Sequence, residues 1–153
     1  MYKKVLVPLD GSKLSELILS HVMAIATGCQ VPEVILLRVR EPLDSSVRAA
    51  LDPEIAYELD QAYYDESVGY LNKVSKKLAK KGVAAGVEVL AGNPAEEIIK
   101  YADSKRVDLI IMSTHGRSGF SRLVFGSVAD KVIRQTTKPV LLKPAGKGGE
   151  SKK

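Results

Sequence analysis

Five short runs of branched and apolar residues punctuate the chain: residues 3–9 (KKVLVPL), 33–40 (EVILLRVR), 84–90, 108–112 (DLIIM) and 138–143 (KPVLLK). Runs of this length and composition read as strands, with 3–9 and 108–112 buried and 84–90 a weaker one with alternating apolar residues. Stretches with a 3.6-residue apolar period separate most of them. After the Asp10-Gly11-Ser12 turn, with Ser12 as N-cap, Leu14, Leu17, Ile18, His21, Val22 and Ile25 repeat at helical spacing as far as Gly28. That pattern assigns His21 to helix packing. Residues 41–53 hold two prolines, serines and acids and read as a loop. A long helix is expected over 54–81, with Ile55, Leu59, Ala62, Tyr63, Tyr70, Val74 and Leu78 on one stripe, acids early and lysines late. Gly82 ends it. Gly92-Asn93-Pro94 turns into a shorter helix, Pro94 at its first position, with Ile98, Ile99 and Ala102 inward. A last helix runs over 127–135. Strands alternating with helices imply a parallel sheet covered on both faces, and right-handed crossovers make it doubly wound. The expectation is one Rossmann-like α/β domain over residues 1–144, with five strands and four helices, followed by a flexible basic tail over 145–153 (AGKGGESKK).

At 153 residues, 45% hydrophobic and 27% charged, the chain is long enough to bury one real core. The net charge is +5, part of it in the tail. That bias is too mild for the dense basic face of a nucleic-acid binder, and no aromatic motif for stacking bases is present. No apolar run approaches the length of a bilayer span, so no membrane partner is expected. The start, MYKKVLVPLD, lacks the small-residue site of a signal peptide. One cysteine, Cys29, cannot form an internal disulfide. Together these features place the chain in the cytoplasm.

The most distinctive stretch is residues 112–127, MSTHGRSGFSRLVFGS, between the fourth strand and the last helix. It carries Gly116, Gly119 and Gly126 beside His115, Arg117 and Arg122, with no acid from Ser113 to Phe125. Glycines let backbone N–H groups approach an anion closely, and a helix N-terminus adds free donors and the positive end of its dipole. Ser127 is a natural N-cap for that helix, with Asp130 as a capping-box-like partner. The stretch reads as a phosphate cradle. Backbone N–H groups of Gly116, Gly126, Ser127 and Val128, and the Ser127 hydroxyl, would be its donors. His115 and the two arginines are candidate phosphate partners, the arginines through bidentate pairs.

Gly116, the nine residues after it, Gly126 and Ser127 resemble the nucleotide-binding loop of the universal stress protein family, in its ATP-binding subgroup. That pattern has one more glycine, three residues before Gly116, where this chain has Ser113. Serine takes positive φ less readily and adds a Cβ, which is expected to weaken the ligand more than the fold. Gly119 is common in such loops. The resemblance implies a strand order of 3-2-1-4-5. It thereby brings Pro8, Leu9 and Asp10 beside Met112 to Gly116 at the switch point where open α/β sheets bind ligands. It implies an adenine pocket involving Pro8, Val39 and Met112, and an Asp10 carboxylate near the ribose or a Mg²⁺-bound phosphate. The ligand would be ATP, or AMP or ADP. The last strand, apolar at a sheet edge over 139–143, suggests a homodimer through that edge, as family members often form.

Other chemistries lack their residues. There is no GxxxxGK[ST] loop, no GxGxxG after the first strand, no GxSxG elbow, no HExxH helix and no CxxC pair. Pro8 stands where a DxDG[ST] phosphatase would need its nucleophile. No general base has an orienting partner, so no catalytic residue is assigned. The leading expectation is an adenine-nucleotide-binding stress-response module. The alternatives are a slow ATPase, with Asp10 helping to hold Mg²⁺, and a nucleotide-free dimeric interaction protein of the same fold.

Overall fold

A computed structural model of the chain describes residues 1–114 and 126–144. In chain order the elements are β1 (Lys4–Pro8), α1 (Lys13–Glu16), α2 (Leu19–Gly28), β2 (Glu33–Arg40), α3 (Ser45–Ala50), α4 (Pro53–Ala79), β3 (Ala85–Ala91), α5 (Pro94–Ser104), β4 (Leu109–Thr114), α6 (Ser127–Gln135) and β5 (Val140–Pro144). The strands form one parallel sheet in the order β3-β2-β1-β4-β5. This is the doubly wound arrangement that the alternation and the resemblance implied.

The period of two in each strand divides the core. Val5, Val7, Val34, Leu36, Leu109 and Ile111 face α2 and α4, meeting Ile18, Val22, Leu71, Val74 and Leu78. Their neighbours Leu6, Leu37, Ile110 and Met112 face the other way, against Ile98 and Ala102 of α5 and Ala129 and Val132 of α6. β1 sits at the centre because β2 pairs on one side of it and β4 on the other, with Val5 opposite both Val34 and Leu109.

Several helix expectations need correction. Six helical segments are described rather than four. The helix after the Ser12 turn is broken at Leu17–Ile18 into α1 and α2. Residues 41–53 contain the short helix α3, started by Asp44, whose carboxylate accepts from the Ser46 amide, and presenting no buried side chain. On α1 and α2 the buried positions are Ser15, Ile18, Val22 and Ala26, which turns Leu14, Leu17 and His21 outward to solvent. On α4 the buried positions are Ala56, Ser67, Leu71, Val74 and Leu78, so Ile55 and Tyr63 are exposed at 53% and 49%. The first half of α4 has only Ala56 in the interior and meets the sheet through the Asp60 pair with Arg40 of β2. α6 starts one residue early: Gly126 is the N-cap and Ser127 the first helical residue. The Ser127–Asp130 capping box therefore does not form; Asp130 pairs instead with Arg134.

Candidate nucleotide site

At the carboxyl ends of β1 and β4 the two crossovers leave in opposite directions, and a cavity of about 490 Å³ opens between them. Pockets for small organic ligands run from roughly 300 to 1,000 Å³. Pro8, Leu9 and Asp10 arrive at it from the end of β1, Val39 from β2, and Met112 and Ser113 from β4. Gly126, Ser127 and Val128 close it from the start of α6. Nine positions singled out in the sequence thus share one cavity. His115, Gly116, Arg117 and Gly119, like Arg122, lie outside the described residues.

Five lining residues escaped the sequence reading: Ser15, Leu37, Pro94, Ile98 and Ala129. Leu37 was within reach, because it lies two residues from Val39 and so on the same face of β2. The other four come from helices, whose rotation about their own axes is set by packing.

The lining has two chemical characters. Leu37, Val39, Ile98 and Met112 form a hydrocarbon slot continuous with the core beneath α5 and α6. At its other side stand the Asp10 carboxylate, the hydroxyls of Ser15, Ser113 and Ser127, and the first turn of α6. Three helices start around this cavity, and their starts differ. Ser12 caps α1 by accepting from the Ser15 amide at 3.0 Å. Asn93 caps α5 by accepting from the Glu96 amide at 3.2 Å, and Glu96 and Glu97 occupy its first turn. α6 begins at Gly126 with no side-chain cap. An α-helix leaves its first N–H groups unsatisfied and carries about half a positive charge there. Of the three starts, α6 alone has no side-chain cap among the described residues, and Gly126, Ser127 and Val128 there line the cavity.

Ser113 behaves differently from the expectation. It lies inside β4 in extended backbone, and Gln30 and Arg106 are the non-glycine residues with positive φ among the described residues. Serine therefore bears no φ cost there. Its hydroxyl donates to the Leu14 carbonyl at 3.1 Å, with the Ser15 carbonyl next at 3.4 Å, and so ties the end of β4 to α1. Asp10 receives the Ser12 amide on Oδ1 at 2.9 Å, an Asx turn that aims its chain into α1.

Residues 1–144 match the model of the family described as "Universal stress protein family". The chain belongs to the universal stress protein family. Among its relatives, universal stress protein MJ0531 of Methanocaldococcus jannaschii is 37% identical over 143 residues, covering 93% of this chain and 82% of the relative. Universal stress protein MJ0577 of the same organism is 34% identical, covering 93% and 94%. The solved structure of MJ0577 superposes with a TM-score of 0.80 at 35% identity, covering 97% of this chain and 99% of that one. A universal stress protein solved in complex with cAMP shares the fold at a TM-score of 0.66 and 19% identity, covering 95% and 98%. The five-stranded order and the helices on both faces match those of solved universal stress proteins. No helix among the described residues is long and apolar enough to cross a membrane.

Proposed function

We propose that this universal stress protein binds an adenine nucleotide, ATP foremost, and acts as a regulatory module whose occupied state is read by other proteins. The observation that carries the reading is the junction of two surfaces in one cavity. A hydrocarbon slot lined by Leu37, Val39, Ile98 and Met112 suits a flat purine, and it runs into the uncapped start of α6, which suits a phosphate. Pro8, Leu9 and Asp10 line the cavity from the end of β1, and the resemblance implies that Asp10 would meet a ribose hydroxyl or a phosphate-bound Mg²⁺. The fold is known to take a nucleotide in another protein, the universal stress protein in complex with cAMP. Gly116, Arg117 and their neighbours would complete the phosphate side, as the loop resemblance implies.

A ligand at a hundredfold excess over its Kd stabilises the native state by about 2.7 kcal/mol. For a chain of this size that is a rise in Tm of roughly 5–10 °C. Thermal unfolding with millimolar ATP and Mg²⁺ tests the reading, and mass spectrometry of small molecules released by denaturing fresh protein identifies the nucleotide. An unchanged Tm, with nothing released, would return the chain to the class of nucleotide-free interaction proteins. The Asp10 carboxylate at the cavity supports slow ATP hydrolysis as a second reading. Phosphate release lost in Asp10→Asn and constant through repeated purification would establish it.

A further inference from the structure

The turn that carries Asp10 rests on a side chain from the opposite face of the sheet. Gly11 has φ +89°, and a methyl group placed on its Cα would stand 3.3 Å from Cζ, Nη1 and Nη2 of Arg38 alike. Equal distances to these three atoms mean that the glycine faces the flat side of the guanidinium rather than its edge. Arg38 lies on β2 next to Val39, and successive strand residues point to opposite faces. Val39 lines the cavity while Arg38 turns toward α4. There it is held on two further sides. Nη1 pairs with Glu66 of α4 at 3.3 Å, and Cζ lies 5.4 Å from the centre of the Tyr70 ring, within cation–π range. The Arg38 side chain is largely buried, 19% exposed, so this is not a solvated surface arginine. The Tyr70 hydroxyl is buried with no hydrogen-bond partner among the described residues. Its ring is therefore fixed by packing and serves the arginine as a face.

We propose that Arg38 is a positioning residue for the nucleotide site: its guanidinium, clamped by Glu66 and Tyr70, is the platform on which Gly11 sits, and it thereby sets where the Asp10 carboxylate stands in the cavity. The proposal rests on the nucleotide-binding reading for its functional consequence, while its structural part stands without it. A planar guanidinium meets a glycine, a carboxylate and an aromatic face at once; an ammonium meets them only as a point charge. The arrangement also links α4 to the site, because Glu66 and Tyr70 both hold the Arg38 guanidinium on which Gly11 rests.

The test compares wild type with Arg38→Met, Arg38→Lys and Glu66→Gln. Two quantities are measured on each: amide shifts of Gly11 and Ser12 with hydrogen exchange of the Ser15 amide, and the Kd for ATP with and without Mg²⁺. Arg38→Met is expected to move the Gly11 and Ser12 shifts and speed Ser15 exchange, with exchange of Ile110 and Val132 unchanged. ATP should bind about tenfold more weakly, the low end of what losing an outer supporting partner costs a metal site. Glu66→Gln should show the same pattern at smaller amplitude, and Arg38→Lys should restore part of the stability but not the turn shifts. Unchanged turn shifts and unchanged Ser15 exchange in the folded variants would overturn the platform. Should Arg38→Met fail to fold, Glu66→Gln and Arg38→Lys decide by the same readouts. Wild-type protein that binds no nucleotide would defeat the functional reading, and the turn measurements would still decide the role of Arg38.

Discussion

Gly11 and Ser113 show how single side chains set the rim of the cavity. At Gly11 an L-residue meets two costs: a left-handed φ, disfavoured by about 1–2 kcal/mol, and a Cβ pressed on the face of the partly buried Arg38 guanidinium. Gly11→Ala is therefore expected to lose about 2 kcal/mol or more in a urea titration. Ser113→Gly should also destabilise, by about 1 kcal/mol, because the Leu14 carbonyl loses its hydroxyl donor and the strand gains backbone freedom. A neutral Ser113→Gly would show that the hydroxyl bond contributes nothing net. Asp108 offers a pH test. Its carboxylate accepts the amides of Lys4 and Lys3, both at 2.8 Å, and these hold its pKa below the ordinary 3.8. Its contribution is thus complete above pH 3.8 and disappears as pH falls through the lower, folded value. Acid unfolding curves should be steeper below that pH in wild type than in Asp108→Asn.

Helix α4 is the element on which periodicity alone erred most. Its existence and extent were readable: the helix expected over 54–81 runs over Pro53–Ala79, and the structure adds Asp52 as its cap. Its inward face was not, because Ile55, Leu59, Ala62 and Tyr63 keep the period over a segment that has only Ala56 in the interior. Only from Ser67 on do the buried positions Leu71, Val74 and Leu78 meet strands, and there the stripe is anchored by what it packs on. Leu71→Ala should cost about 2–5 kcal/mol, whereas Tyr63→Ala should stay within about 0.5 kcal/mol. Similar urea midpoints for both would contradict the packing. Helix ends fared differently. α2 stops at Gly28 as expected, and the left-handed residue that follows it is Gln30. Ser127 reads as a cap, yet the chain turns one residue earlier, at Gly126.

For the whole molecule, five apolar runs alternating with helices were enough to infer a doubly wound sheet, since the other common fold that covers parallel strands on both faces, the barrel, needs eight. Their order came from the family resemblance; periodicity is silent on which strand neighbours which. The site was legible to the extent that it is made of strand ends. Pro8, Asp10, Val39 and Met112 converge because parallel strands finish on one side. Ser15, Pro94, Ile98 and Ala129 were missed because they come from helices, which reach the cavity by tertiary packing. β5 lies at the sheet edge with Val140, Leu141, Leu142 and Lys143 all part-buried and its outer ladder groups unpaired within the described residues. We expect light scattering at micromolar protein to give about twice the 16.6 kDa chain mass, and a monomer would rule out pairing through this edge.

The side-chain-less beginning of α6 has one more consequence. A helix is a cooperative unit that frays from an open end. On the proposed reading, an anion lodged against Gly126 would act as the terminal cap that no described side chain supplies, so fraying of α6 would become a gauge of occupancy. Amide protection at Ala129 and Val132, followed while nucleotide levels change, would report how full the protein is without any label on the ligand.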